Sequence, residues 1–476
     1  MSAQDVLAEL RAMRAADLPT HGGRTLAYVY DSGLDGVDEL AASAYALASS
    51  ANALDPTAFP SLLRMENEVA GAAAALLGGD GETAGTVTSG GTESCLLAVL
   101  AAREARPEIG EPSMVLPETA HAAFHKAAHL FGVRAVEVPV DPSTFRADPA
   151  AMAAAIDETT VLVVASAPSY AHGVLDPIAP IAAAAAARGV RMHVDACVGG
   201  WVLPYLRRAG HPVPEFGFGV AGVTSVSVDL HKYAYCPKGV SVLLHRSAEL
   251  RRPQYFASAR WPGYTMLNTT MQSTRSGGPL AAAWAVLRHV GDDGYLGLAE
   301  RAGAATAEIA AGIEEVDGLR LVAKPDSTLL AVSTSDGAAF DLFTVADEMR
   351  ARGWYVQPQF ARGPSPVNLH LTITAANRGH ETEFLADLRA SVDEARARGP
   401  VRVDEDVLES VRALDPDALT SEQFAGLLDA AGMGAGSTPP ERMAEVNTLL
   451  AAAPEPLRER LLLEFLGLLY RHGTNG

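Results

Sequence analysis

Four short stretches of this chain put chemically useful side chains at the ends of apolar runs. The first, Thr88-Ser89-Gly90-Gly91-Thr92-Glu93-Ser94, follows a strand-like run and opens a helical one. Its two glycines allow a tight turn, and the free N–H groups of the following helix favour an anion such as a phosphate. The second, Met192-His193-Val194-Asp195-Ala196-Cys197, leaves a carboxylate at the C-terminal end of an apolar strand, where sites in α/β folds lie. The third, Ser227-Val228-Asp229-Leu230-His231-Lys232-Tyr233, ends another strand on a lysine beside a histidine. A lysine in a closed cleft is expected to have a lowered pKa and to form an imine with a carbonyl. The fourth is His121, between a strand-like run and a helix, where its flat ring can stack on a planar ligand.

Taken singly, each stretch has a plainer reading: a simple turn for the glycine pair, a helix cap for Asp195, a surface charge for Lys232. Together, a phosphate loop, a stacking ring, a buried acid and an imine-forming amine follow one another in one sheet domain. That set matches what pyridoxal 5'-phosphate requires, with Asp195 keeping the pyridine nitrogen protonated. His121, His125 and His129 have helical i, i+4 spacing, but no Asp, Glu or Cys completes a metal set nearby, so no metal is expected.

The elements that position these residues are legible as alternating strands and helices. Thr86–Thr88, Met114–Leu116, Ala135–Val140, Val161–Ser166, Arg191–Ala196, Val223–Asp229 and Gly239–His245 are strand candidates, several of them continuous apolar runs suited to burial on both faces. Helical segments such as Glu93–Ala105, Ala120–Phe131 and Pro149–Asp157 lie between them, which predicts an α/β domain with a mostly parallel sheet. From about Leu280 the texture changes. Long helices over Ala281–Val290 and Leu298–Val316, strands at Leu319–Ala323, Thr328–Ser333 and Asn368–Thr374, and a helix near Leu342–Arg352 predict a smaller α+β domain. The domain expectation is an N-terminal arm over 1–58, a large cofactor-binding domain over 59–285 and a small domain over 286–476. The last of these ends in a helical tail broken near Gly432–Gly434, Pro439–Pro440 and Pro454–Pro456.

Composition narrows the partners. A net charge of −20 over 476 residues repels phosphate backbones, so nucleic acid is not expected. Cys95, Cys197 and Cys236 are far apart in the chain and form no CxxC pair, which fits a reducing compartment. The N-terminus reads as a short amphipathic helix, not a signal peptide, and no apolar run is long enough to span a bilayer. The expected setting is cytoplasmic.

The runs VTSGGTES, AHAAFHKAAHLFG, SYAHGVLDPI, HVDACVGGWVLP, GVTSVSVDLHKYAYCPKG and STRSGG resemble the sphingosine-1-phosphate lyase family. That family belongs to the fold-type I pyridoxal-phosphate enzymes, near the group II decarboxylases. The resemblance covers Gly23 to Gly278 well. It implies the fold-type I transferase architecture and Lys232 as the lysine that carries the cofactor. It also implies Asp195 as the pyridine partner, His121 as the stacking ring, and Gly91, Thr92 and His231 at the cofactor phosphate. Thr274 and Gly277 match a loop that reaches the cofactor of a neighbouring subunit, so a homodimer with shared sites is implied. Tyr30 and Lys238 match groups that hold a substrate phosphate. Asp55 stands where the family has histidine, and a carboxylate there repels a phosphate. The resemblance thus implies retro-aldol cleavage of a β-hydroxy amine to an aldehyde and an amine such as phosphoethanolamine. Two alternatives stay open at this point. One is a lyase acting on a non-phosphorylated amino alcohol or β-hydroxy amino acid. The other is an amino-acid decarboxylase, for which Arg275 and Arg362 are candidate carboxylate donors.

Overall fold

The computed structural model describes residues 1–430 and 442–470; Gly432–Gly434 and Pro439–Pro440 lie outside the described residues. Seven strands form the main sheet: β1 (Ala84–Thr88), β2 (Ser113–Pro117), β3 (Arg134–Val138), β4 (Thr160–Ser166), β5 (Arg191–Asp195), β6 (Ser225–Asp229) and β7 (Ser241–His245). Their order is β1-β7-β6-β5-β4-β2-β3. β2 to β6 pair in parallel, and β7 runs antiparallel to both β1 and β6. All seven expected strands are present, shifted at most two residues at either end.

β2 and β4 are buried on both faces, which explains their apolar runs. β5 and β6 differ in a way that matters for function. On β6, Val226 and Val228 alternate with Ser225, Ser227 and Asp229, although every residue is buried. Strand alternation puts those three polar side chains on one face, level with His193 and Asp195 of β5 across the parallel pairing. A buried polar row costs free energy unless its members pair with one another, and most of them do so around the cleft.

Two further short strands, β8 (Phe256–Ser258) and β9 (Met266–Asn268), make a hairpin that the sequence reading does not anticipate. A second sheet holds β10 (Leu319–Leu321), β11 (Leu329–Thr334), β12 (Gln357–Gln359) and β13 (Asn368–Thr372) in the order β10-β11-β13-β12. The two helices expected after Leu280 are present within Gly278–Glu314, separated at Gly291, whose backbone is non-helical (φ 64°, ψ 178°). A left-handed φ suits only glycine at low cost, so the break sits where the sequence allows it.

The chain divides into two compact units. The first is Met1–Ala310 with Ala323–Ala331 and Thr372–His380, and the second is Ala311–Val322 with Val332–Leu371 and the chain from Glu381 onward. Residues 1–58 belong to the first unit, and the position 285/286 falls inside the helix Gly278–Glu314. The described tail is helical over Glu405–Ala413, Ser421–Ala430, Ala444–Ala452 and Glu455–Leu469. No helix among the described residues is long and apolar enough to cross a membrane.

Candidate active site

The C-terminal ends of β5 and β6 open into a cleft of about 410 Å³ within the first unit. That size is ordinary for a small-molecule site, roughly 300–1,000 Å³. Gly91, Thr92, His121, Asp195, His231 and Lys232 all line it, although more than a hundred residues of chain separate the first from the last.

The glycine loop forms one wall. Gly91 begins the helix Gly91–Glu104, and Glu93 ties the loop down: its carboxylate accepts from Ser89 N–H at 2.6 Å and from Met271 N–H at 2.9 Å. A Cβ on Gly91 would stand 2.7 Å from both carboxylate oxygens of Asp229 and 2.9 Å from Cys197 Sγ. Only glycine lets the helix terminus approach β6 this closely. Gly91→Ala is therefore expected to weaken cofactor binding at least tenfold while the far-ultraviolet circular dichroism stays native. Equilibrium dialysis against pyridoxal phosphate reads the effect, and unchanged affinity would show that the helix can shift without cost.

The floor carries two acids. Asp195 Oδ1 accepts from Cys197 N–H at 3.1 Å and from Ser227 Oγ at 3.4 Å. Asp229, at the end of β6, accepts from Ser241 Oγ at 2.6 Å and pairs with Lys232 Nζ at 2.9 Å. Burial pushes the Asp229 carboxyl up, but the charges of Lys232 and His231 and the Ser241 hydroxyl outweigh it and hold it below the usual range. Burial pulls the Lys232 amine down, yet the Asp229 carboxylate holds it well above its ordinary value. The expected lowering of the Lys232 pKa is thus reversed, because an acid three residues upstream completes a buried ion pair. Asp229 is the functional side chain the sequence reading passed over. Its signal was present in the Asp229-x-x-Lys232 spacing, which a turn after a strand folds back on itself.

Around this pair, His231 donates from Nδ1 to the Val240 carbonyl at 3.2 Å, and burial pulls its pKa down. His121 is exposed at the rim, its Nδ1 accepting from Ala123 N–H at 3.1 Å. Tyr170 also lines the cleft, and burial pushes its hydroxyl up. Cys95 and Cys197, distant in the chain, bring their thiols and the Asp195 carboxylate within 4.8 Å of one another.

The remaining expected residues lie outside this cleft in the single chain. Tyr30 packs edge-on against Tyr233, ring centroids 5.2 Å apart. Lys238 Nζ donates to the Tyr28 carbonyl at 3.0 Å and stands 5.1 Å from the Tyr30 ring centroid. Partial burial and the charge of Lys232 bring its amine down to about 8. Thr274 is exposed, and Gly277 is buried with its N–H on the Ala51 carbonyl at 2.9 Å. Asp55 lines a separate cavity of about 580 Å³ with Glu66 and Arg275. Its carboxylate closes a local turn by accepting from Thr57 N–H at 2.8 Å and Thr57 Oγ1 at 2.6 Å. Arg275 is engaged there by the Val87 carbonyl at 2.8 Å and Glu66 at 3.4 Å. Arg362 belongs to the second unit, 3.5 Å from Glu455.

Comparison with known proteins places this geometry. Residues 26–334 match the pyridoxal-dependent decarboxylase conserved domain, and residues 405–468 match the C-terminal putative HTH domain of pyridoxal-dependent enzymes. The chain is 36% identical to sphingosine-1-phosphate lyase of Oryza sativa subsp. japonica, over 83% of this chain and 74% of that protein. It is 35% identical to sphingosine-1-phosphate lyase 1 of Rattus norvegicus, over 82% and 68%. Among solved structures, the sphingosine-1-phosphate lyase of Burkholderia pseudomallei superposes with a TM-score of 0.78 at 38% identity, covering 84% of this chain and 92% of that one. A glutamate decarboxylase from Lactobacillus brevis shares the fold at 18% identity, with a TM-score of 0.75 over 85% and 94%. With its lysine, its buried acids and its glycine-lined helix terminus in one cleft, the chain belongs to the sphingosine-1-phosphate lyase family of pyridoxal-phosphate-dependent lyases.

Proposed function

We propose that this lyase cleaves the carbon–carbon bond of a β-hydroxy amine of the sphingosine 1-phosphate type, releasing an aldehyde and an amine such as phosphoethanolamine. The observation that carries the reading is the Lys232–Asp229 pair facing Asp195 across a cleft whose wall is a glycine-bordered helix terminus. The residues fit pyridoxal phosphate. Gly91, Thr92 and His231 would hold its phosphate, His121 its ring face, Asp195 its pyridine nitrogen and Lys232 its aldehyde carbon. When bound, that cofactor accepts the electron pair of the bond being broken.

The chain's own groups divide the proton work. Lys232 rests protonated against Asp229, so its proton must leave before its nitrogen can bond to carbon. The hydroxyls of Tyr30 and Tyr170 are pushed up by burial, so near neutral pH they donate hydrogen bonds and do not accept protons.

The relatives favour a lyase over a decarboxylase. We further propose a homodimer, in which Thr274 and Gly277 serve the neighbouring cofactor, and a cytoplasmic setting, supported by three free buried cysteines. Nucleic acid is not a partner in this reading, despite the name of the C-terminal match: residues 405–468 hold twelve acidic and four basic side chains.

A product assay on the cofactor-loaded protein tests the function. Sphingosine 1-phosphate or a short-chain analogue is supplied in one arm and the unphosphorylated amino alcohol in the other. Aldehyde from the phosphorylated compound supports the proposed substrate. Aldehyde only from the other compound, or none from either, sinks it and directs the search to other amines. If Asp55 faces the distal end of the substrate in the assembled enzyme, Asp55→His is expected to raise the preference for the phosphorylated compound several-fold. An unchanged ratio of kcat/KM values would leave Asp55 its role as a turn former.

A further inference from the structure

Next to Asp195, the polar row of β5 and β6 forms a connected chain. Ser225 Oγ lies 2.9 Å from His193 Nδ1, His193 Nε2 lies 3.2 Å from Ser227 Oγ, and Ser227 Oγ lies 3.4 Å from Asp195 Oδ1. Cys197 Sγ lies 3.2 Å from the same Ser227 oxygen. His193 and Ser227 are fully buried, and Ser225 and Asp195 nearly so. The parallel register pairs His193 with Ser225 and Asp195 with Ser227, so the row is built into the sheet and not into a loop.

The hydrogens in this row have two self-consistent directions. An ionised Asp195 only accepts, so Ser227 must spend its single hydrogen on it. The Ser227 oxygen then accepts twice, from Cys197 S–H and from His193 Nε2–H, which uses its full capacity. His193 Nδ1 is left bare and accepts from the Ser225 hydroxyl. In the reverse direction, Ser227 donates to His193 Nε2, and its oxygen lone pairs face those of Asp195. A hydrogen bond to a charged acceptor is roughly twice as strong as a neutral one, which selects the first direction. Burial keeps His193 neutral, pulling its pKa down to about 4, with Asp195 opposing the shift. Phe124, 5.9 Å between ring centroids, packs against the imidazole.

We infer that Ser227 and His193 are positioning residues whose hydrogens all point toward Asp195, fixing the carboxylate that would meet the cofactor's pyridine nitrogen. This rests on Asp195 being the pyridine partner. The row orients the carboxylate on which protonation of that nitrogen depends, and neither Ser227 nor His193 lines the cleft.

Two measurements test it on the full-length protein. Nitrogen-15 spectra of the histidine side chains, assigned with His193→Gln, are expected to show His193 protonated at Nε2; protonation at Nδ1 overturns the direction. In protein loaded with pyridoxal phosphate labelled at the ring nitrogen, Ser227→Ala is expected to move that resonance toward its unprotonated position. Turnover should fall roughly tenfold, as for a lost hydrogen bond to a charged group. Ser227→Thr, which keeps the hydroxyl, is expected to restore both. A Ser227→Ala resonance at the wild-type position also overturns the inference. Asp195→Ala separates the two ideas. If it leaves the ring nitrogen protonated, the pyridine-partner assignment fails, while the His193 tautomer still decides the direction of the row.

Discussion

Lys232→Ala is expected to abolish the visible absorption of the lysine-linked cofactor and to lower turnover by roughly three to four orders of magnitude, the range for loss of a covalent or acid–base group. Persistence of that absorption would overturn the assignment of Lys232. A second consequence comes from Asp229, which is buried and pairs with Lys232 at 2.9 Å. Removing one partner of a buried ion pair typically costs about 3–5 kcal/mol, because the other charge is left uncompensated. The cofactor-free variant should therefore unfold at lower denaturant than the cofactor-free wild type.

The pH dependence of that difference has a definite sign. The folded-state pKa of Asp229 is depressed, so its contribution is present above the ordinary carboxyl value of 3.8 and is lost as pH falls through the folded value. The folded-state pKa of Lys232 is raised, so its contribution is present below the ordinary amine value of 10.5 and is lost as pH rises through the folded value. The stability gap between wild type and Lys232→Ala should be full between those limits and should close in acid. Lys232→Arg retains a positive charge, so it is expected to recover part of the stability and none of the turnover. A gap that does not vary with pH would mean that Asp229 and Lys232 are not paired in solution.

Asp195→Ala is expected to lower kcat/KM by roughly a hundred- to a thousandfold, the equivalent of about 3–4 kcal/mol for a lost buried charge partner. Lys232 remains in place, so the covalent link to the cofactor should still form. Steady-state kinetics beside the absorption spectrum separates the two effects: attachment kept and turnover lost is the expected pattern. Wild-type turnover would remove Asp195 from the electron-accepting apparatus. Loss of attachment together with turnover would mean that its role lies in holding the cofactor.

The strands and their order of chemistry were readable from the chain because burial on both faces writes itself as continuous apolar runs, and a site at strand ends follows from that architecture. His121, Asp195 and Lys232 stand out because each sits where a strand or turn meets a helix or loop, whereas Gly91, Thr92 and His231 are implied as individual residues by the family resemblance; the fold brings all six to one cleft. Elements without a period were not readable. The hairpin of β8 and β9 is only three residues per strand, too short to show a period.

What the sequence by itself determined is therefore the cofactor chemistry and the sheet that carries it, because residue type and local periodicity are properties of the chain. The tertiary structure alone decided the electrostatics. Whether Lys232 is pulled down by burial or held up by a partner depends on the position of Asp229 in space. Whether three distant cysteines are strangers depends on the packing that brings Cys95 and Cys197 together beside Asp195. Whether Ser227 and His193 are ordinary strand residues depends on the register that lays β6 against β5. Charge and hydrogen-bond energies vary steeply with distance and burial, and neither quantity is written along a chain.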